Sequence, residues 1–136
     1  KWHGLNRLLF DEKIGVMIVG ETHLSADQAD KIQKVLGKRM DIYNSTNPEN
    51  PSTRGIALVL NREITNTKGV KIWYLKPGRA ILAMLPWHGK LTKTILGVYA
   101  PAESMEENEK FWDELTEMWM TTDLPVPDFL LGDTNI

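Results

Sequence analysis

Between residues 55 and 99 the chain carries four β-like stretches in succession, at 55–61, 70–75, 80–87 and 94–99. Asn-Thr-Lys-Gly, Lys-Pro-Gly-Arg and His-Gly-Lys separate them. Stretches so close in sequence predict antiparallel hairpins. A different pattern precedes this meander. Trp2, Leu5 and Leu9 recur at helical spacing, and Gly15 closes that helix. The run 14–19 is continuously apolar and of strand length, which predicts a strand covered on both faces, the habit of parallel sheets. Ser25 with Gln28 forms a capping box for a helix over 26–36, with Gly37 as its natural C′ residue. A short strand near 40–44 and a turn-rich surface loop at 45–53 follow. After the meander, Ser104 with Glu107 makes a second capping box. Phe111, Leu115, Met118 and Trp119 then stripe a helix over 105–120, and 128–131 is a last apolar strand. The order predicts a layered α/β fold whose sheet mixes parallel and antiparallel pairs.

Composition narrows the function classes. A chain of 136 residues, 42% hydrophobic and 25% charged, suits one globular domain and excludes a disordered or collagen-like one. Zero cysteines exclude a disulfide, a thiolate metal site and a cysteine nucleophile. They also fit a reducing, intracellular compartment. No apolar run approaches the ~20 residues that span a bilayer, so no membrane partner is expected. A net charge of −2 argues against a nucleic-acid coat protein, though not against an enzyme that visits DNA.

Two distant segments end alike: Ile18-Val19-Gly20-Glu21 and Leu130-Leu131-Gly132-Asp133 are each a strand, a glycine and a carboxylate. Ligands in α/β sheets gather beyond the carboxyl ends of strands. Two carboxylates converging there repel each other and favour a cation, and hard oxygen donors suit Mg²⁺ or Mn²⁺ rather than zinc. Asn135 lies two residues beyond Asp133, on the same face of an extended chain. The acid can orient or deprotonate water, and the amide can hold a phosphate oxygen. A third strand ending, Leu96-Gly97-Val98-Tyr99, could bring a phenol to the same crevice. Each motif also has an ordinary reading. Gly-Asp is a common turn, Tyr99 a boundary residue with its hydroxyl in water, and His23 a surface turn residue. Arg79 reads as a solvated hairpin arginine, and Phe111, Trp112 and Trp119 as core. What raises the functional reading is the coincidence of three strand endings.

Gly20-Glu-Thr-His23, Gly55-Ile-Ala-Leu-Val-Leu60, Val98-Tyr-Ala-Pro101 and Leu131-Gly-Asp-Thr-Asn135, in this order, resemble the endonuclease/exonuclease/phosphatase superfamily. The nearest flavour is the branch of apurinic/apyrimidinic endonucleases and non-LTR retrotransposon endonuclease domains. The resemblance implies a four-layered α/β sandwich and metal-dependent hydrolysis of a phosphoester, with DNA as partner. It assigns Glu21 to the metal, Tyr99 to the active site, Asp133 to the attacking water and Asn135 to the phosphate. It gives His23 a substrate-binding place beside the glutamate. Gly97 stands where the family has an asparagine, and Thr134 where it has a large apolar residue. The family's first strand with its Asn and its closing Ser-Asp-His segment do not occur within residues 1–136. The expectation is therefore a partial domain, roughly the first half, whose apolar inner face lacks its partner and which does not turn over alone. The competing expectation is a non-catalytic or degenerate module that binds a nucleotide or protein through the same crevice.

Overall fold

The apolar stretches sort into two sheets. The computed structural model describes residues 1–136. Its elements are α1 (Trp2–Asp11), β1 (Val16–Gly20), α2 (Ala26–Leu36), β2 (Met40–Ser45), β3 (Ile56–Asn61), β4 (Lys71–Lys76), β5 (Ala80–Pro86), β6 (Thr92–Tyr99), α3 (Met105–Thr121) and β7 (Phe129–Asp133). One sheet runs β1-β3-β2 and the other β4-β5-β6-β7. Every neighbouring pair is antiparallel except β6 and β7, which are parallel. The second sheet is thus the mixed one.

Side chains define four layers. Ile56, Leu58 and Leu60 of β3 meet Ile81, Ala83 and Leu85 of β5 between the sheets. On the outer side of the first sheet, Val19, Met40 and Val59 pack against Leu9 of α1 and Leu36 of α2. On the outer side of the second, Leu82, Leu96 and Val98 pack on Phe111 and Leu115 of α3. The order helices, sheet, sheet, helix is the expected four-layered α/β sandwich. Trp112 and Trp119 belong to the α3 contact, so the aromatic stripe is core. No helix is long and apolar enough to cross a membrane.

The structure corrects four local expectations. First, β3 does not form a hairpin with β4, because β1 and β2 already occupy both its edges. Asn61 redirects the chain there. Its backbone N–H donates to the Gly15 carbonyl at 2.9 Å, and its side-chain amide donates to the Ile14 carbonyl at 3.0 Å. Second, β1 is covered on both faces, as its apolar run implies, but its partner is antiparallel. Facial burial carries no information on strand direction. Third, Gly37 ends α2 in the right-handed region at φ −68°, whereas the Ser25–Gln28 capping box forms in full. At α3 only half the box forms, the Ser104 hydroxyl accepting from the Glu107 N–H. Fourth, the inner face is not without a partner, since the two sheets cover each other. Among the sheet strands, β7 leaves apolar surface open, with Phe129 and Leu130 about half exposed.

Candidate active site

The chain leaves β1 through a forced turn. Glu21 has φ +50° and His23 φ +53°, left-handed values uncommon outside glycine. The turn is fastened from below: the His23 N–H donates to the Arg54 carbonyl at 2.8 Å, and the buried Thr22 hydroxyl donates to Asn44 Oδ1 at 2.9 Å. Gly55 is needed beneath it. At φ +97°, a Cβ there would lie 2.4 Å from Thr22 Oγ1.

The second carboxylate leaves its strand by an equally constrained route. Gly132 has φ +116°, and a Cβ would lie 2.1 Å from the Val98 carbonyl oxygen of β6. Only glycine lets β7 run this close. In the parallel ladder Asp133 falls opposite Tyr99, and the Asp133 carbonyl accepts from the Ala100 N–H at 2.8 Å.

These ends converge although they belong to different sheets. Gly20, Glu21, Tyr99, Ala102, Asp133 and Asn135 line one cleft of about 360 Å³. The Tyr99 hydroxyl donates to Glu21 Oε1 at 2.9 Å, bridging the sheets. Burial raises the Tyr99 phenol above its usual range, and the hydrogen bond and charge of Glu21 push the same way against the opposing Arg79. Asn135 reaches the cleft differently from the extended-chain expectation. Its φ is +49°, and this turn lets its N–H donate to Asp133 Oδ1 at 3.1 Å while its Nδ2 donates to the Ala100 carbonyl at 2.7 Å. His23 is not brought to the cleft; it is exposed and absent from the lining.

Three residues near the cleft escape sequence reasoning. Asn108 of α3 places Nδ2 3.1 Å from the Thr134 carbonyl and 3.0 Å from that of Pro101, tying the Asp133–Asn135 segment to the helix. Arg79 is not a solvated hairpin arginine, because its side chain is only 13% exposed. Its Nη1 donates to the Tyr99 carbonyl at 3.0 Å and its Nη2 to Glu103 Oε1 at 3.2 Å. Glu103 also pairs with Arg54 at 3.1 Å. Its own backbone N–H, with the two arginines behind it, lowers its carboxyl below the usual range. A carbonyl partner contributed by another strand leaves no local signal in sequence.

The donors suit a hard, hydrated ion. Glu21 and Asp133 offer carboxylate oxygens to the same space, and no group of three His, Cys, Asp or Glu gathers anywhere. Mg²⁺ is held in this manner, through one or two carboxylates with water and phosphate completing its shell. A larger cavity of about 500 Å³ lies at the opposite ends of β1 and β5, lined by Ile64, Leu85 and Trp87 among others. It contains no carboxylate, so the chemistry points to the smaller cleft.

Solved structures share this fold. AP endonuclease LMAP from Leishmania major superposes over 98% of this chain with a TM-score of 0.70 at 17% identity. The chain has that fold. A conserved protein of unknown function from Enterococcus faecalis V583 matches over 98% (TM-score 0.68, 11% identity). An endonuclease/exonuclease/phosphatase family protein from Bacteroides thetaiotaomicron matches over 97% (TM-score 0.61, 11% identity). This chain spans about half of each, 49%, 57% and 53% respectively. No protein-family model and no curated protein matches the sequence.

Proposed function

We propose that the chain carries the Glu21–Asp133 part of a metal-dependent phosphodiester hydrolase site, in a DNA endonuclease of the apurinic/apyrimidinic and retrotransposon type. One observation carries this reading: Glu21, Tyr99, Asp133 and Asn135 meet in one cleft from two sheets, with the Tyr99 hydroxyl on Glu21. Two carboxylates brought close together repel each other, and a divalent cation between them removes the repulsion.

Glu21, with Asp133 facing it, would hold Mg²⁺ or Mn²⁺. When bound, the ion supplies charge stabilisation to a phosphoryl centre and polarises its P–O bond. Tyr99 occupies one oxygen of Glu21 and would leave the other for the ion. Asp133 is the acceptor that orients or deprotonates water. Its Oδ1 is already engaged by the Asn135 N–H, which fixes the carboxylate plane. The Asn135 amide, anchored on the Ala100 carbonyl, would hold a phosphate oxygen. The fold shared with an AP endonuclease supports DNA as the substrate.

Nicking tests the reading. Residues 1–136 alone give no Mg²⁺-dependent nicking of plasmid or abasic-site duplex, because the family's Ser-Asp-His segment is not among them. A flanking coding sequence that continues into a strand ending in Ser-Asp-His supports the enzyme, and the longer chain nicks DNA in Mg²⁺ until Glu21→Gln removes the activity. Stop codons directly outside both ends favour the non-catalytic module. Robust nicking by residues 1–136, abolished by Glu21→Gln, overturns the incompleteness of the site.

A further inference from the structure

We infer that Arg79 is the positioning residue that sets the Tyr99 phenol against Glu21; the inference rests on the reading of the cleft given above. Tyr99 is the last residue of β6, paired with Asp133 of β7 but one residue beyond the end of the β5 ladder at Val98. Arg79 holds it from both sides of its peptide unit. The Arg79 carbonyl accepts from the Tyr99 N–H at 2.7 Å, and the guanidinium Nη1 donates back to the Tyr99 carbonyl at 3.0 Å. The guanidinium carbon also lies 5.6 Å from the centre of the Tyr99 ring, within cation–π range. One side chain thus restrains the backbone and the ring of the residue whose hydroxyl reaches Glu21.

Arg79 is itself fixed. Gly78, at φ +74°, packs so closely on the 45–53 loop that a Cβ would lie 3.1 Å from Asn47 Cα, and its N–H donates to the Ser45 hydroxyl at 2.9 Å. The hairpin turn is therefore seated on the first sheet's side of the molecule, and Arg79 leaves it in a set direction. Glu103 takes the second guanidinium nitrogen and is shared with Arg54. The Arg54 carbonyl holds the His23 N–H in the turn that presents Glu21. Arg79, Glu103 and Arg54 accordingly join the two strand ends whose separation defines the cleft. The Arg54 arm is exposed and weak, as such surface pairs are. The Arg79 arm is largely shielded and planar, and a lysine cannot reproduce its two simultaneous bonds.

The test uses residues 1–136 with no metal added, reading the Glu21 side-chain carboxyl by carbon-13 NMR alongside the melting temperature. Arg79→Lys retains the charge, so movement of the Glu21 signal reports lost geometry. The expected result is a shifted Glu21 carboxyl and Tyr99 ring signal, a melting temperature close to wild type, and Mn²⁺ affinity reduced about ten-fold, the scale of a group that orients a metal ligand. Glu103→Gln, which leaves the Tyr99 carbonyl bond in place, produces a smaller shift in the same signals. It also serves if Arg79→Lys fails to fold. Glu21 signals unmoved in both folded variants overturn the inference. Wild-type protein that binds no Mn²⁺ while its Glu21 signal still responds to Arg79→Lys refutes the metal reading and leaves the positioning role standing.

Discussion

Strands β3 and β7 are both apolar in sequence, yet their fates differ. Ile56, Ala57, Leu58 and Leu60 of β3 are fully buried, whereas Phe129, Leu130 and Leu131 of β7 are 51%, 50% and 36% exposed. Strand β3 has a neighbour on each edge and a layer on each face. Strand β7 has β6 alone and ends its sheet. Hydrophobicity is a property of the segment, but burial is a property of its neighbours. The two also divide the work. Strand β3 carries stability and sits beneath the Glu21 turn, while the poorly covered β7 delivers Asp133 to the cleft.

The largest expected effect sharpens this contrast. Leu58→Ala costs about 2–5 kcal/mol, the range for a fully buried leucine that leaves a cavity. Leu130→Ala stays within about 0.5 kcal/mol, as surface substitutions do. Urea denaturation of both variants checks the pair. Equal costs would break the comparison and mean that β7 is covered in solution.

A substitution in β7 that does matter comes next. Gly132→Ala puts a methyl group against the Val98 carbonyl at a left-handed φ, so β7 must move or strain by about 1–3 kcal/mol. Its stability loss should be smaller than that of Leu58→Ala, and its loss of Mn²⁺ affinity larger. Wild-type affinity in the Gly132→Ala variant would show that Asp133 does not depend on the close approach of β7 to β6.

The smallest effect is in alkaline solution. The Tyr99 phenol is raised, so the folded chain holds this proton more tightly than the unfolded one. The resulting stabilisation is complete below the unfolded value of about 10 and is lost as pH rises through the folded value. Tyr43 and Tyr74 are raised by burial as well. Tyr99→Phe should therefore flatten the fall of melting temperature above about pH 10 in part only. An unchanged slope contradicts a raised Tyr99 phenol.

What can be read from sequence follows from the range of the forces involved. The Ser25–Gln28 cap is legible because both of its partners lie within one helical turn. The four cleft residues are legible because each sits at a strand ending with a glycine nearby, where the backbone must leave the sheet. The separation of β3 from β4 is not, since it depends on β1 and β2 competing for the same edges and on Asn61 reaching Ile14. Arg79 and Asn108 are hidden for the same reason, since their partners are main-chain carbonyls of residues 99 and 134. Position 97, where the sequence resemblance leads one to expect an asparagine, shows the converse. A Cβ there would press on Ile18 and Ile81, a contact between the two sheets that only the folded chain reveals.

If two carboxylates from different sheets form one cation site, Mn²⁺ titration followed by paramagnetic broadening will reveal it. Such a site gives selective broadening of residues 20–21, 99, 133 and 135, competed by Mg²⁺, with affinity reduced about ten-fold or more in both Glu21→Gln and Asp133→Asn. Broadening centred elsewhere, or affinity unchanged in both variants, would contradict it.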